Sequence, residues 1–157
     1  MKRIWLVVAV LLLAGCGVQP SGVADGGEAP TGVAPGVTLY FIDDRGELRP
    51  ALRQTERLGT ISEALSLLLT GPGVSKLHTE IAQTGVTRVV VITTPGVIQL
   101  NVPLTIDEVT PRGIDQIVCT ALGVHVQSGG SRSTEVQVRF VQPTPASDEQ
   151  RTCPLIR

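Results

Sequence analysis

Arg88-Val89-Val90-Val91-Ile92-Thr93-Thr94-Pro95-Gly96-Val97-Ile98-Gln99-Leu100-Asn101-Val102 is the stretch that decides the fold class of this chain. Both halves are rich in β-branched residues, and Pro95-Gly96 between them suits a tight turn, so the segment reads as a hairpin. Its outgoing half alternates: Ile98, Leu100 and Val102 face one way, Gln99 and Asn101 the other. That is the pattern of a strand with one packed face and one more polar face.

Downstream, Thr110 precedes Pro111, whose fixed φ suits the first position of a helix. Ile114, Ile117, Val118 and Ala121 form the expected buried stripe, with Asp115 and Gln116 on another face and Cys119 on the flank. Gly129-Gly130 is a turn between elements and lacks the spacing of a phosphate-cradling loop. A last strand over Thr134 to Val141 turns Val136, Val138 and Phe140 inward and Glu135, Gln137 and Arg139 outward.

Upstream, Thr60-Ile61-Ser62-Glu63 fits a capping box, in which the Thr60 hydroxyl and the Glu63 carboxylate each satisfy the other's backbone amide. Ile61, Ala64, Leu65, Leu68 and Leu69 share a stripe, and Gly71-Pro72 stops the helix. Gly71 to Gly85 reads as a loop with room for a short helical turn. Val37 to Ile42 and Leu48 to Arg53 form another hairpin around Asp43-Asp44-Arg45-Gly46-Glu47. Those carboxylates lack the spacing and closing Glu of a calcium loop, so they are read as turn formers. The expected architecture is a two-layer α+β domain over residues 37–142, with a mixed or antiparallel sheet of four to five strands and two helices packed on one face.

The N-terminus is a processing signal. Lys2 and Arg3 precede the apolar run Ile4 to Leu13, which has signal-peptide length and falls short of the roughly 20 apolar residues of a spanning helix. Leu13-Ala14-Gly15-Cys16 resembles the lipobox of bacterial lipoproteins. The expectation is removal of residues 1–15 and acylation of Cys16, including diacylglycerol thioether and amide-linked chains such as palmitate; two or more chains anchor stably. Residues 16–36 are Gly- and Pro-rich without apolar periodicity and read as a tether, with a typical reach of roughly 25 Å for about 20 residues. The expected location is the extracytoplasmic face of the bacterial plasma membrane.

With Cys16 lipidated, Cys119 and Cys153 remain as an even pair in an oxidising compartment, and a disulfide between them is expected to tie the tail, residues 143–157, to the body. A metal site is the weaker reading. His78 and His125 lie in separate segments, without the paired ligand spacing of zinc sites.

The composition argues against several function classes. Tyr40, Phe41 and Phe140 are the only aromatic residues after the signal, and the net charge is -1. Stacking platforms and a basic field for nucleic acid are both missing. Ser62 and Ser66 belong to the first helix without a Gly-x-Ser-x-Gly elbow, so no nucleophile with its base is expected, and no cofactor. Asp107 and Glu108 with Asp43 or Asp44 could line an acidic loop pocket, which is the basis of an alternative reading as a small-ligand or cell-wall-fragment binder or hydrolase.

Three segments taken in order carry a resemblance: Val37 to Leu48 with its Tyr-Phe-x-Asp-Asp, the helix running to Leu68-Leu69-Thr70-Gly71-Pro72, and Gln116-Ile117-Val118-Cys119-Thr120-Ala121-Leu122. Together they resemble the GerMN domain of sporulation and germination proteins. The chain departs from that pattern at Cys119, where the family continues with an apolar or hydroxyl residue, and in the Gly-rich stretch Ser128 to Ser131. The resemblance implies an actinobacterial envelope lipoprotein with a non-catalytic interaction module. Its partner would be an envelope protein, another cell-envelope component or a second copy.

Overall fold

The computed structural model describes residues 36–157. The expected signal segment, Cys16 and nearly all of the tether lie outside the described residues. Six strands and three α-helices follow in the order β1 (Gly36–Ile42), β2 (Leu48–Gln54), α1 (Ile61–Leu69), β3 (Val90–Thr94), β4 (Val97–Asn101), α2 (Pro111–Gln127), β5 (Glu135–Arg139), α3 (Pro145–Asp148) and β6 (Gln150–Arg151). A 3-10 turn, Ile106–Glu108, leads into α2.

The α+β class holds, and the strands divide between two sheets. β1 and β2 pair antiparallel on their own, while the second sheet runs β3-β4-β5-β6. Within it β3–β4 and β5–β6 are antiparallel and β4–β5 is parallel. A parallel pair needs a long crossover, and here α2 lies within it. The turn Pro95-Gly96 closes β3–β4 with Gly96 at φ 80°, a backbone region open to glycine and strained for most other residues.

Register assigns the faces. Ile98 pairs with Val136 and Leu100 with Val138, and all four are buried. Gln99 pairs with Gln137 and Asn101 with Arg139 on the opposite, half-exposed face. The alternation legible in the sequence is therefore the alternation of the sheet.

Helix α1 carries the expected capping box: the Glu63 amide donates to Thr60 Oγ1 at 3.2 Å and the Thr60 amide to Glu63 Oε2 at 2.7 Å. Ala64, Leu65, Leu68 and Leu69 are buried as read. Helix α2 differs from expectation. Every residue from Gln116 to Val124 is buried, because the helix packs against β1, β5 and α1 together, so one apolar stripe is not enough. Gln116, expected on the polar face, is fully buried. Its Nε2 donates to the Tyr40 carbonyl at 3.0 Å, and its Oε1 accepts from the Glu80 amide at 2.9 Å.

Gly113 in the same helix permits a close approach. A Cβ there would lie 2.4 Å from the Glu80 carbonyl oxygen, so the helix backbone rests directly on the segment before it. That segment, within the loop Gly71 to Gly85, holds two isolated β-bridges, Ile42 with His78 and Ile81 with Val109, in place of a helical turn. The tail is also more ordered than its composition suggested. It forms α3 and then β6, which extends the sheet beside β5, and Cys119 and Cys153 are bonded with their Cα atoms 4.8 Å apart. In the chain-entropy view a closed loop of about 35 residues contributes on the order of 3 to 4 kcal/mol.

Candidate functional site

The residues that could carry chemistry are held in structural roles. The Ser62 hydroxyl donates to the Val89 carbonyl at 2.6 Å and the Ser66 hydroxyl to the Thr87 carbonyl at 2.9 Å, which ties the lead-in to β3 along α1. Asp43 serves its own turn: Oδ1 accepts the amides of Arg45 and Glu47, each at 2.9 Å, and Oδ2 accepts Arg49 Nε at 2.9 Å. The Arg49 hydrogen bond, then the Glu47 amide, hold the Asp43 carboxyl down at about 2. Glu108 caps the 3-10 turn through the Thr105 amide at 2.8 Å and the Thr105 hydroxyl at 3.0 Å.

The two histidines have separate duties. His78 contributes its backbone to the bridge with Ile42, its amide 2.8 Å from the Ile42 carbonyl. His125 Nε2 lies 3.1 Å from Thr134 Oγ1, near the end of α2. Among the described residues no group of three His, Cys, Asp or Glu is arranged to hold a metal ion. In the same residues no helix is long and apolar enough to cross a membrane.

Two surface features remain. One is a groove of about 700 Å³ between α1 and the lead-in to β3, floored by Val37, Ala64, Leu67 and Val89 and rimmed by Arg57 and Arg88. Arg57 reaches Glu63 Oε1 at 3.2 Å, whereas Arg88 makes no ion pair with a described residue. Glu63 lines the groove as well, so its rim carries an Arg57–Glu63 pair and the cation of Arg88 around an apolar floor. Asp43, Asp44, Asp107 and Glu108, expected to line an acidic pocket, contribute nothing to it.

The other feature is the β3 side of the four-stranded sheet, its edge and the part of its outer face beyond α3, which covers β5 where Gln137 Nε2 donates to the Ser147 carbonyl at 2.9 Å. Register sets Val90, Ile92 and Thr94 on the same face as Gln99, Asn101, Gln137 and Arg139. Val90 is 52% and Ile92 45% exposed, and among the described residues β3 has only β4 as a neighbour. Period-2 reading of the incoming strand could have found these residues. It was blurred because Val89, Val90, Val91 and Ile92 are apolar in succession, so the buried and exposed sets look alike.

No family model matches the sequence, and no curated protein matches it. Among solved structures, the chain is similar to the tandem GerMN domains of the sporulation protein GerM from Bacillus subtilis. The TM-score is 0.54 and the identity 17%, over 82% of this chain and 48% of that one. This chain therefore spans about half the length of that tandem structure. At this identity the similarity concerns the fold, and the chain has a GerMN-like α+β fold.

Proposed function

We propose that this chain is a non-catalytic interaction module, lipid-anchored through Cys16 at the extracytoplasmic face of a bacterial plasma membrane, that binds an envelope protein or another envelope component. The observation that carries the binding role is the open sheet face ending in β3, with Val90 and Ile92 half-exposed at a free edge. Exposed apolar residues beside unpaired strand backbone are a recurrent basis of protein association. Ser62 and Ser66, two of the hydroxyls lining the groove, donate to backbone carbonyls, which supports a binding role over a nucleophilic one. What supports the anchor is the order of basic residues, short apolar run and Leu13-Ala14-Gly15-Cys16, followed by a Gly- and Pro-rich stretch. GerM is a sporulation protein; the likeness to it concerns the fold, and the proposal leaves the physiological process open.

Crosslinking in intact cells followed by pull-down of the full chain tests the binding role. The expected result is a specific protein or envelope adduct mapping to the β3 side of the sheet; adducts scattered over all faces would refute it. Cys16→Ala is expected to leave an unprocessed precursor that takes up no labelled fatty acid, and label on that variant would remove the anchor. The groove's size favours a second reading, capture of a small ligand or cell-wall fragment between Arg57 and Arg88. Recovery of such a fragment, lost on Arg88→Ala, would select it.

A further inference from the structure

A β-sheet edge presents unpaired backbone donors and acceptors, and proteins that stay monomeric close their edges by identifiable means. Among the described residues the two sheets have four edges, at β1, β2, β3 and β6. Three are closed. The outer edge of β1 is met by the helix side chains of Thr120, which accepts the Tyr40 amide at 3.1 Å, and Gln116, and by the backbone of His78. The β2 edge carries Arg49, Pro50 and Arg53, which combine charge with a residue that has no amide hydrogen. β6 is two residues long, includes Arg151, follows α3 directly and is pinned by the nearby disulfide at Cys153.

Within Val90–Thr94 β3 has none of these devices; α1 meets only the backbone just before it, where Ser62 and Ser66 donate to the Val89 and Thr87 carbonyls. Its sequence, Val90-Val91-Ile92-Thr93-Thr94, contains no charge and no proline, and it pairs residue for residue with β4 without a bulge. All five side chains have high β propensity.

We propose that β3 pairs antiparallel with β3 of a second copy, across a two-fold axis at Ile92, so that two four-stranded sheets merge into one of eight strands. This rests on the reading of the chain as an interaction module and names its partner and surface. The register follows from the residues. Centring on Ile92 sets Ile92 against its own copy and Val90 against Thr94, which brings the exposed β-branched side chains of one open face together as cross-strand pairs. A two-fold interface must be self-complementary, and an uncharged strand meets that condition because no side chain in it faces a like charge. The nearest cation, Arg88, falls opposite Gly96 of the other copy. The two Arg88 residues then stand eight residues apart along the paired strands, roughly 26 Å at 3.3 Å per residue, well beyond the Debye length at physiological salt. A foreign strand selected by charge would find nothing in β3 to recognise, whereas a second copy needs only backbone pairing and shape.

The register makes the proposal testable in cells with the full chain, by thiol crosslinking under copper–phenanthroline oxidation. Opposed residues of an antiparallel pair have Cα atoms about 4.5 to 5.5 Å apart, within disulfide reach. Cys119 and Cys153 are bonded and buried, so the added thiol is the accessible one among the described residues. Ile92→Cys is expected to give a disulfide-linked homodimer. Val90→Cys alone and Thr94→Cys alone are expected to give none, since each would lie roughly 13 Å from its own copy, while co-expression of those two variants restores the crosslink. Leu52→Cys, equally exposed on the closed β2 edge, is expected to stay monomeric and serves as the control. Homodimer from Leu52→Cys at the level of Ile92→Cys, or from Val90→Cys alone, overturns the register and with it the proposal. An Ile92→Cys adduct to a different protein overturns self-pairing while leaving the interaction-module reading intact. Absence of any adduct at Ile92, with specific adducts elsewhere on the surface, likewise refutes self-pairing alone.

Discussion

The two hairpins of this protein are built from similar residues and are finished in opposite ways. In β1–β2 the backbone is guarded on both sides: Asp43 binds its own turn, Pro50 and two arginines guard one edge, and α2 supplies Gln116 and Thr120 along the other. In β3–β4 the turn is equally tight, but one edge and one face are left bare, with Val90 and Ile92 half in water. The contrast shows that this domain closes strand edges by several means, and that among the described residues β3 is the edge without them. Buried polar side chains on α2 act here as a substitute strand. Satisfying a buried carbonyl and amide from a helix removes the penalty that an open edge inside the core would carry.

That contrast can be broken in graded steps. The largest effect is expected from removing the disulfide that holds the β6 edge in place. Cys119→Ala with Cys153→Ala should cost about 3 to 4 kcal/mol in urea unfolding, and should add a second self-associating edge at β5, seen as concentration-dependent sedimentation. Gln116→Leu comes next. It leaves the Tyr40 carbonyl and the Glu80 amide without partners, at a cost of about 2 to 4 kcal/mol by the same unfolding measurement. A loss below about 0.5 kcal/mol would mean that the substitute-strand account is wrong.

A smaller, pH-dependent change is expected at the β1–β2 turn. Because the folded Asp43 carboxyl is held at about 2, below its ordinary 3.8, its contribution is complete above the ordinary value and is lost as pH falls from there toward about 2. Thermal midpoints of the wild type should therefore decline through that window more steeply than those of Asp43→Asn; parallel curves would assign the acid loss to other groups. The smallest effect is expected at the bare edge. Ile92→Lys should change the unfolding free energy of the dilute, unpaired chain by no more than about 0.5 kcal/mol, because the side chain is half in solvent there. A large loss would show that β3 is packed more tightly than its exposure indicates.

The fold was legible in the sequence wherever a local rule decided it. The capping box at Thr60 and Glu63, proline at the start of α2, the Pro95-Gly96 turn and the alternation around Ile98 and Leu100 each depend on neighbours a few residues away, and each is present. Gln116 was misplaced because amphipathic reading assigns polar residues to solvent, and only the approach of β1 and the Glu80 segment makes a buried amide favourable. The loop Gly71 to Gly85 gave no local signal since its order comes from bridges to Ile42 and Val109, distant in sequence. The acidic side chains expected to line a pocket were read from type alone; position committed Asp43 and Glu108 to turns.

For this protein the sequence by itself determined α1, α2, the two hairpin turns and the inward sets of β4 and β5, since periods of 3.6 and 2 and short-range hydrogen bonds are written in adjacent residues. Only the tertiary structure decided how the strands divide between two sheets, that the tail adds a strand, and which edge stays open. Those outcomes depend on which backbone groups find partners far along the chain, and hydrogen bonds between residues 76 or 80 positions apart, such as Gln116 to Tyr40 and Tyr40 to Thr120, leave no local pattern to read.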